Sequence, residues 1–314
     1  LSVLLDGVFN HVSRRNRIVQ DAQSAGPDSD AGRMVRWCAG RLDVFEGHSD
    51  LVALNHDNPA VREHVTRIMN YWCGRGVDGW RLDAAYSVNP EFWAAVLPSV
   101  REKYPDVWIF GEVIHGDYAS IVRASGMDSV TQYELWKGIW SSIESRNFFE
   151  LDHALGRHNE FSDAFTPMTF VGNHDVTRIA SRVGQDGAVL ATAILATIGG
   201  IPLIYYGDEL AYRGVKEERF GGDDDIRPVF PASPADLSNL GADTLRAHQS
   251  LLGLRRRHPW LVDARTESLD LTNERYVYRT GVPGVEPLIV ELDVRDGCSV
   301  LIREAGQVVW SSGA

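Results

Sequence analysis

Three carboxylates in this chain stand where they could do chemistry. Asp83 closes the apolar stretch "VDGWRLD", Glu112 follows "VWIFG", and Asp175 ends "FVGNHD". Arg81 lies two residues before Asp83, His174 precedes Asp175, and the opening run "LSVLLDGVFNH" finishes on Asn10 and His11. Residues i and i+2 of a strand face the same way, so Arg81 is expected to hold Asp83 ionised and oriented, as a nucleophilic carboxylate requires. Glu112 follows Ile109, Phe110 and Gly111. It is therefore expected at the mouth of an apolar pocket, where lost hydration raises a carboxyl pKa and keeps a general acid protonated. Two carboxylates tuned in opposite directions around one cleft are what glycosidic bond cleavage needs. Each residue also has a plainer use: Arg81 and Asp83 as a structural ion pair, Glu112 as a helix cap, His174 and Asp175 as a capping pair. The plainer uses explain the residues singly and not together. Metal-dependent hydrolysis competes for the same residue types, but it calls for closely spaced histidines, and neither HxH nor HExxH spacing is present.

The elements that must position these groups alternate between short apolar strands and amphipathic helices, the pattern of a parallel α/β fold. Strands are expected at 2–8, 79–82, 107–110, 128–131, 169–171 and 203–206. Helices are expected at 59–74, 90–104, 118–124, 134–143, 187–198 and 244–258. Asn58-Pro59 and Asn89-Pro90 each put a capping Asn before a Pro at the first helical position. The carboxylates follow strands on their C-terminal side, the face that carries chemistry in a parallel barrel. Six such units are two short of an eight-stranded barrel, which leaves an open doubly wound sheet or a barrel with two units upstream of residue 1. Residues 14–57 form a Gly- and Asp-rich excursion after the first strand, a loop long enough to be an inserted subdomain. From Leu261 the pattern changes to short alternating strands such as "RYVYRT" and "PLIVEL", expected to form a small antiparallel β domain.

Composition narrows the partners. A net charge of −12 argues against nucleic acid, whose phosphates need a basic face, and suits a neutral substrate. No apolar run reaches the roughly 18 to 20 residues that span a bilayer, so no membrane partner is expected. Cys38, Cys73 and Cys298 are odd in number and widely spaced, giving neither a disulfide framework nor a zinc site and leaning towards a cytoplasmic protein.

"DGVFNH" (6–11), "GWRLDAA" (79–85), "FGEVIH" (110–115) and "FVGNHD" (170–175) occur in this order, and together they resemble the signature regions of the α-amylase family, glycoside hydrolase family 13. "GIPLIYYGDE" (200–209) resembles the family's eighth-strand segment and "LVALNHDNP" (51–59) the stretch before the helix that leads to the nucleophile strand. The resemblance covers about residues 1–260. It implies a (β/α)8 TIM barrel over 1–260 from its third strand onward, the first two strands being absent from this chain. An inserted subdomain lies at about 14–57, and 261–314 form the C-terminal β domain. It implies Asp83 as nucleophile, Glu112 as general acid/base, Asp175 as the third carboxylate holding sugar hydroxyls, Arg81 as the residue orienting Asp83, and His11 and His174 as sugar-binding residues. Asp6 would be a structural strand-end residue. The chemistry needs no cofactor. Calcium is the one ion the resemblance brings in, with Asn10 as its ligand and His48, Asp50 and Asp57 as nearby candidates.

The expected activity is retaining hydrolysis of α-1,4-linked glucans and maltooligosaccharides, with α-1,6 links as a second target, in the manner of the amylase, neopullulanase and cyclomaltodextrinase branch. Two rivals share the site: an α-glucan transglycosylase, in which a sugar hydroxyl intercepts the covalent intermediate, and a non-catalytic carbohydrate-binding member. Rim aromatics such as Trp80, Tyr86, Trp108, Tyr118 and Tyr133 divide between sugar stacking and packing. A barrel without two strands would bare its edges, so an upstream segment, on a separate polypeptide or on this one, is expected to complete it.

Overall fold

The computed structural model describes residues 1–219 and 221–312. Two compact units, Leu1–Thr131 and Gln132–Ala314, make up the chain. The first runs β1 (Leu4–Gly7), β2 (His11–Ser13), α1 (Arg17–Ala25), β3 (Trp37–Cys38), β4 (Arg41–Leu42), β5 (Leu51–Ala53), α2 (Pro59–Cys73), β6 (Gly79–Leu82), α3 (Pro90–Arg101), β7 (Trp108–Gly111), α4 (Tyr118–Ser125) and β8 (Ser129–Val130). β1, β6, β7 and β8 pair in parallel, in that order. Both Asn-Pro signals hold. Asn58 Oδ1 accepts the Ala60 N–H and Asn89 Oδ1 the Glu91 N–H, each at 3.0 Å, and each cap of this kind contributes about 1 kcal/mol. α2 buries Val61, Val65, Met69 and Cys73, one residue per turn on a single face.

Among the described residues β1 lies at the edge of this sheet. It pairs with β6 alone among the described residues, and Val3, Leu4 and Val8 stay 41–49% exposed. The excursion after β1 is ordered structure. β2 and β5 pair antiparallel with His11 opposite Ala53, β3 and β4 make a small hairpin, and α1 buries Val19 and Ala22.

The second unit runs α5 (Tyr133–Glu144), α6 (Phe148–Ser162), β9 (Met168–Phe170), α7 (Ile179–Thr197), β10 (Ile201–Leu203), α8 (Ala242–Arg257) and then β11 (Arg265–Leu271), β12 (Arg275–Gly281), β13 (Leu288–Asp293), β14 (Ser299–Glu304) and β15 (Gln307–Ser311). β9 and β10 pair in parallel. β10 falls earlier than expected and includes Pro202. A Pro without an N–H is tolerated there because β10 pairs on one side only among the described residues. α7 begins eight residues before its expected start and is broken at Gly184, whose φ of 75° a side chain would resist. The last five strands form one antiparallel sheet in sequential order. Its inward residues Tyr276, Tyr278, Leu288, Val290, Leu292 and Ile302 join Leu195 of α7 and Leu251 and Leu254 of α8 in one apolar core. Among the described residues, no helix is long and apolar enough to cross a membrane.

Candidate active site

Parallel register brings the first set of residues to one end of a sheet. Asp6 on β1 lies opposite Arg81 on β6, and Leu82 lies opposite Gly111 on β7, so the chain leaves both central strands directly into Asp83 and Glu112. Gly111 is needed there: a Cβ would come within 2.6 Å of Met127 Sδ and 2.9 Å of Ala85 Cβ. After Asp83 the backbone turns through the left-handed region at Ala84 (φ 45°), a conformation of order 1 kcal/mol unfavourable for a residue with a Cβ. The turn aims the Ala84 N–H at Glu112 Oε2, 3.1 Å away.

Arg81 is the hub. Its Nη1 donates to Asp6 at 2.7 Å and to Asp83 Oδ1 at 3.2 Å, and its Nη2 lies 2.9 Å from Glu112 Oε1. Glu112 is 6% exposed. It does not sit in the apolar pocket expected of it. Its oxygens face a guanidinium and a backbone N–H, because register places Arg81 beside it as well as beside Asp83. The tuning of Asp83 also differs from expectation. Burial raises its carboxyl above the usual range, Arg81 pulls it back only in part, and the charges of Glu112 and Asp6 add to the rise. Arg81 in turn is held above its ordinary value: burial alone would lower it, but Glu112, Asp6 and Asp83 together outweigh that.

His11 is buried with Nε2 4.0 Å from Asp83 Oδ2. Asn10 Nδ2 lies 3.2 Å from His11 Nδ1. With the amide so oriented, Nδ1 accepts and the imidazole proton sits on Nε2, facing Asp83. Burial and the nearby His48 lower the His11 pKa against an opposing pull from Glu46. The excursion supplies the other face of this ring: Phe45 stacks on His11 with centroids 4.8 Å apart, and Glu46 Oε1 accepts from the Tyr86 hydroxyl at 2.7 Å. Phe45 and Glu46 were invisible in the sequence, where "DVFEG" carries no motif and reads as a turn. Of the rim aromatics, Trp80, Tyr118 and Tyr133 are buried packing residues, while Tyr86 and Trp108 are partly exposed.

The second unit holds the remaining set. Beyond β9, Asn173 Oδ1 accepts the Asp175 N–H at 2.8 Å and so turns the chain, while Asn173 Nδ2 donates to the Tyr133 hydroxyl at 2.9 Å. His174 Nε2 lies 3.2 Å from Asp175 Oδ2. Arg227 donates from Nη2 to Asp175 Oδ1 at 2.9 Å and from Nε to the His174 carbonyl at 2.8 Å. Three residues on, Arg178 is fully buried and paired with Asp208 at 2.9 Å. The stretch "FGGDDDIRPVF" (220–230), whose Gly- and Asp-rich composition reads as a loop, has its first residue, Phe220, outside the described residues. Its short turn Asp224–Ile226 buries Ile226 and leads into Arg227.

Asn10 Oδ1 is a buried oxygen with no hydrogen-bond partner, the kind of atom a hard cation would use. Calcium takes six to eight oxygen ligands, carboxylates among them. Among the described residues no group of three His, Cys, Asp or Glu side chains gathers to hold a metal, and His48, Asp50 and Asp57 are exposed. Among the described residues Asn10 Oδ1 therefore stands without the gathered carboxylates that a calcium site draws on.

Residues 42–265 match the family model described as alpha amylase, catalytic domain. "Alpha-amylase 3" of Dictyoglomus thermophilum is 34% identical over 250 residues, spanning 70% of this chain and 49% of that protein. "Maltogenic alpha-amylase" of Bacillus acidopullulyticus is 30% identical over 285 residues, spanning 84% of this chain and 46% of that one. The chain thus spans about half the length of the curated relatives it matches. An upstream segment on a separate polypeptide finds no support there. Among solved structures, the ligand-free cyclic alpha-maltosyl-(1→6)-maltose hydrolase from Arthrobacter globiformis superposes with a TM-score of 0.82 at 21% identity, covering 99% of this chain and 75% of that one. That likeness speaks for the fold alone, the (β/α)8 class followed by an antiparallel sheet.

Proposed function

The chain belongs to the α-amylase family, and from that premise we propose that it is a retaining α-glucoside hydrolase acting on α-1,4-linked glucans and maltooligosaccharides, with α-1,6 links as a second target. One observation carries the reading. A single guanidinium, Arg81, bonds both Asp83 and Glu112 and so sets the two carboxylates side by side. Retaining enzymes use a close pair, because one carboxylate attacks carbon while the other protonates the departing oxygen. Inverting enzymes need a wider gap for water.

Asp83 attacks the anomeric carbon as its bond to the glycosidic oxygen breaks, and Glu112 gives that oxygen a proton. The product is a glycosyl ester on Asp83 and a free sugar hydroxyl. Glu112, now ionised, takes a proton from water, whose oxygen attacks the same carbon and releases Asp83. In the reactive state Asp83 acts as the ionised nucleophile and Glu112 as the proton donor. Arg81 holds Asp83 in line, and the Nε2–H of His11 offers a sugar hydroxyl a donor. His174 and Asp175 bind the sugar hydroxyls and stabilise the oxocarbenium-like transition state. No step runs through a metal.

The reading takes 1–260 as the catalytic barrel from its third strand, with the subdomain at 14–57, and 261–314 as the C-terminal β domain. The free cysteines Cys38, Cys73 and Cys298 support a reducing compartment, the cytoplasm. Chromatography of products from maltoheptaose and pullulan tests the function. Short maltooligosaccharides are expected from maltoheptaose. Products longer than the starting material would move the assignment to transfer, and no turnover by a folded sample would favour a binding protein.

A further inference from the structure

Asp175 is a residue whose value depends on where its carboxylate points, and the structure holds it from two sides. His174 Nε2 lies 3.2 Å from Oδ2, and Arg227 Nη2 donates to Oδ1 at 2.9 Å. The Arg227 Nε donates to the His174 carbonyl at 2.8 Å, so one guanidinium grips both the side chain and the backbone of this turn. The grip is itself anchored. Arg227 Nη2 lies 2.9 Å from Asp223 Oδ2, one helical turn back. Ile226, the residue before Arg227, is fully buried, and its carbonyl accepts from Arg178 Nε and from the Tyr205 hydroxyl, each at 3.1 Å. Arg178 belongs to the same segment as Asp175. It is buried against Asp208, and its guanidinium lies 4.4 Å from the Tyr205 ring. Two arginines therefore cross-link 173–178 to 224–227 in opposite directions, Arg178 through the buried side and Arg227 through the open one.

We propose that Arg227 is a positioning residue for Asp175, fixing the carboxylate that meets the sugar hydroxyls. This rests on the function proposed above. The segment 221–230, between β10 and α8, thereby takes a part in catalysis that its Gly- and Asp-rich composition does not announce. An Arg fork that bonds two acceptors at once fixes direction as well as charge, which an ammonium cannot do. Without it Asp175 loses the donor on Oδ1 that fixes its direction, and the cost falls on the transition state, where its hydrogen bonds to the sugar are strongest.

The test is steady-state hydrolysis of maltoheptaose by the full-length protein, beside its Arg227→Ala and Arg227→Lys variants, with thermal unfolding of each. In Arg227→Ala, kcat should fall roughly 10- to 100-fold, the loss expected of a misplaced group, with KM changing far less. Arg227→Lys should recover part of the loss. The unfolding temperature should barely move, since Arg227, Asp175 and Asp223 are all partly exposed and such pairs contribute little to stability. A kcat within twofold of the parent in Arg227→Ala would overturn the inference while leaving the function standing, and so would a large fall in unfolding temperature with no change in kcat. A parent protein that does not turn over would overturn the functional reading and this inference together.

Discussion

Asp83→Asn is expected to lower kcat on maltoheptaose by a factor on the order of 10⁴ to 10⁶, the scale of loss when the attacking group of an enzyme is removed. The substitution is nearly isosteric, so the strand, the Ala84 turn and the Arg81 contacts to Asp6 and Glu112 should survive. What disappears is the anion that bonds to the anomeric carbon, which the Asn amide does not replace. The loss should therefore appear in kcat, with KM and far-ultraviolet circular dichroism near the parent values. A variant within tenfold of the parent would remove Asp83 from the nucleophile role.

Arg81→Ala should fail in two ways at once. Its guanidinium serves Asp6, Asp83 and Glu112, and its side chain is only 16% exposed. Removing it leaves carboxylates crowded without a counter-charge, and the unfolding free energy should drop by on the order of 3 kcal/mol in urea titrations. The kinetic effect has a definite sign. Burial already raises Asp83 above the usual carboxylate range, and Arg81 is the charge that opposes the rise. Without it the Asp83 carboxyl moves higher still. The attacking group must be ionised, so activity is lost as pH falls through its folded-state pKa. The acid limb of kcat/KM should shift to higher pH in Arg81→Ala, and kcat/KM on the plateau should fall by roughly 10²- to 10³-fold. An unmoved acid limb would mean that Arg81 does not tune the nucleophile.

Much of this site was legible because strand periodicity is local. Arg81 and Asp83 sit two apart on one strand, and a sequence alone shows that they share a face. Helix starts at Asn58 and Asn89 were legible for the same reason, since each cap bonds within two residues of itself. Contacts set by parallel register were not. Nothing local puts Glu112 on Arg81, which it meets through the pairing of β6 with β7, and the apolar run before it pointed to a dry pocket instead. Phe45 on His11 and Arg227 on Asp175 are likewise meetings across tens of residues, made by segments whose composition reads as turn. α6 escaped because its charged residues crowd an otherwise ordinary helical pattern, although Asn147 caps it through the Phe149 N–H. The exposure of β1 also depends on what pairs beside it and not on its own apolar residues.

The most direct test of the account is the anomeric configuration of the first product. Proton NMR during the opening minutes of maltoheptaose hydrolysis, before mutarotation, should show the α-anomer of the new reducing end, because displacement by Asp83 and then by water inverts the carbon twice. A β-anomer appearing first would mean a single displacement and would contradict the assignment of Asp83 as nucleophile beside Glu112.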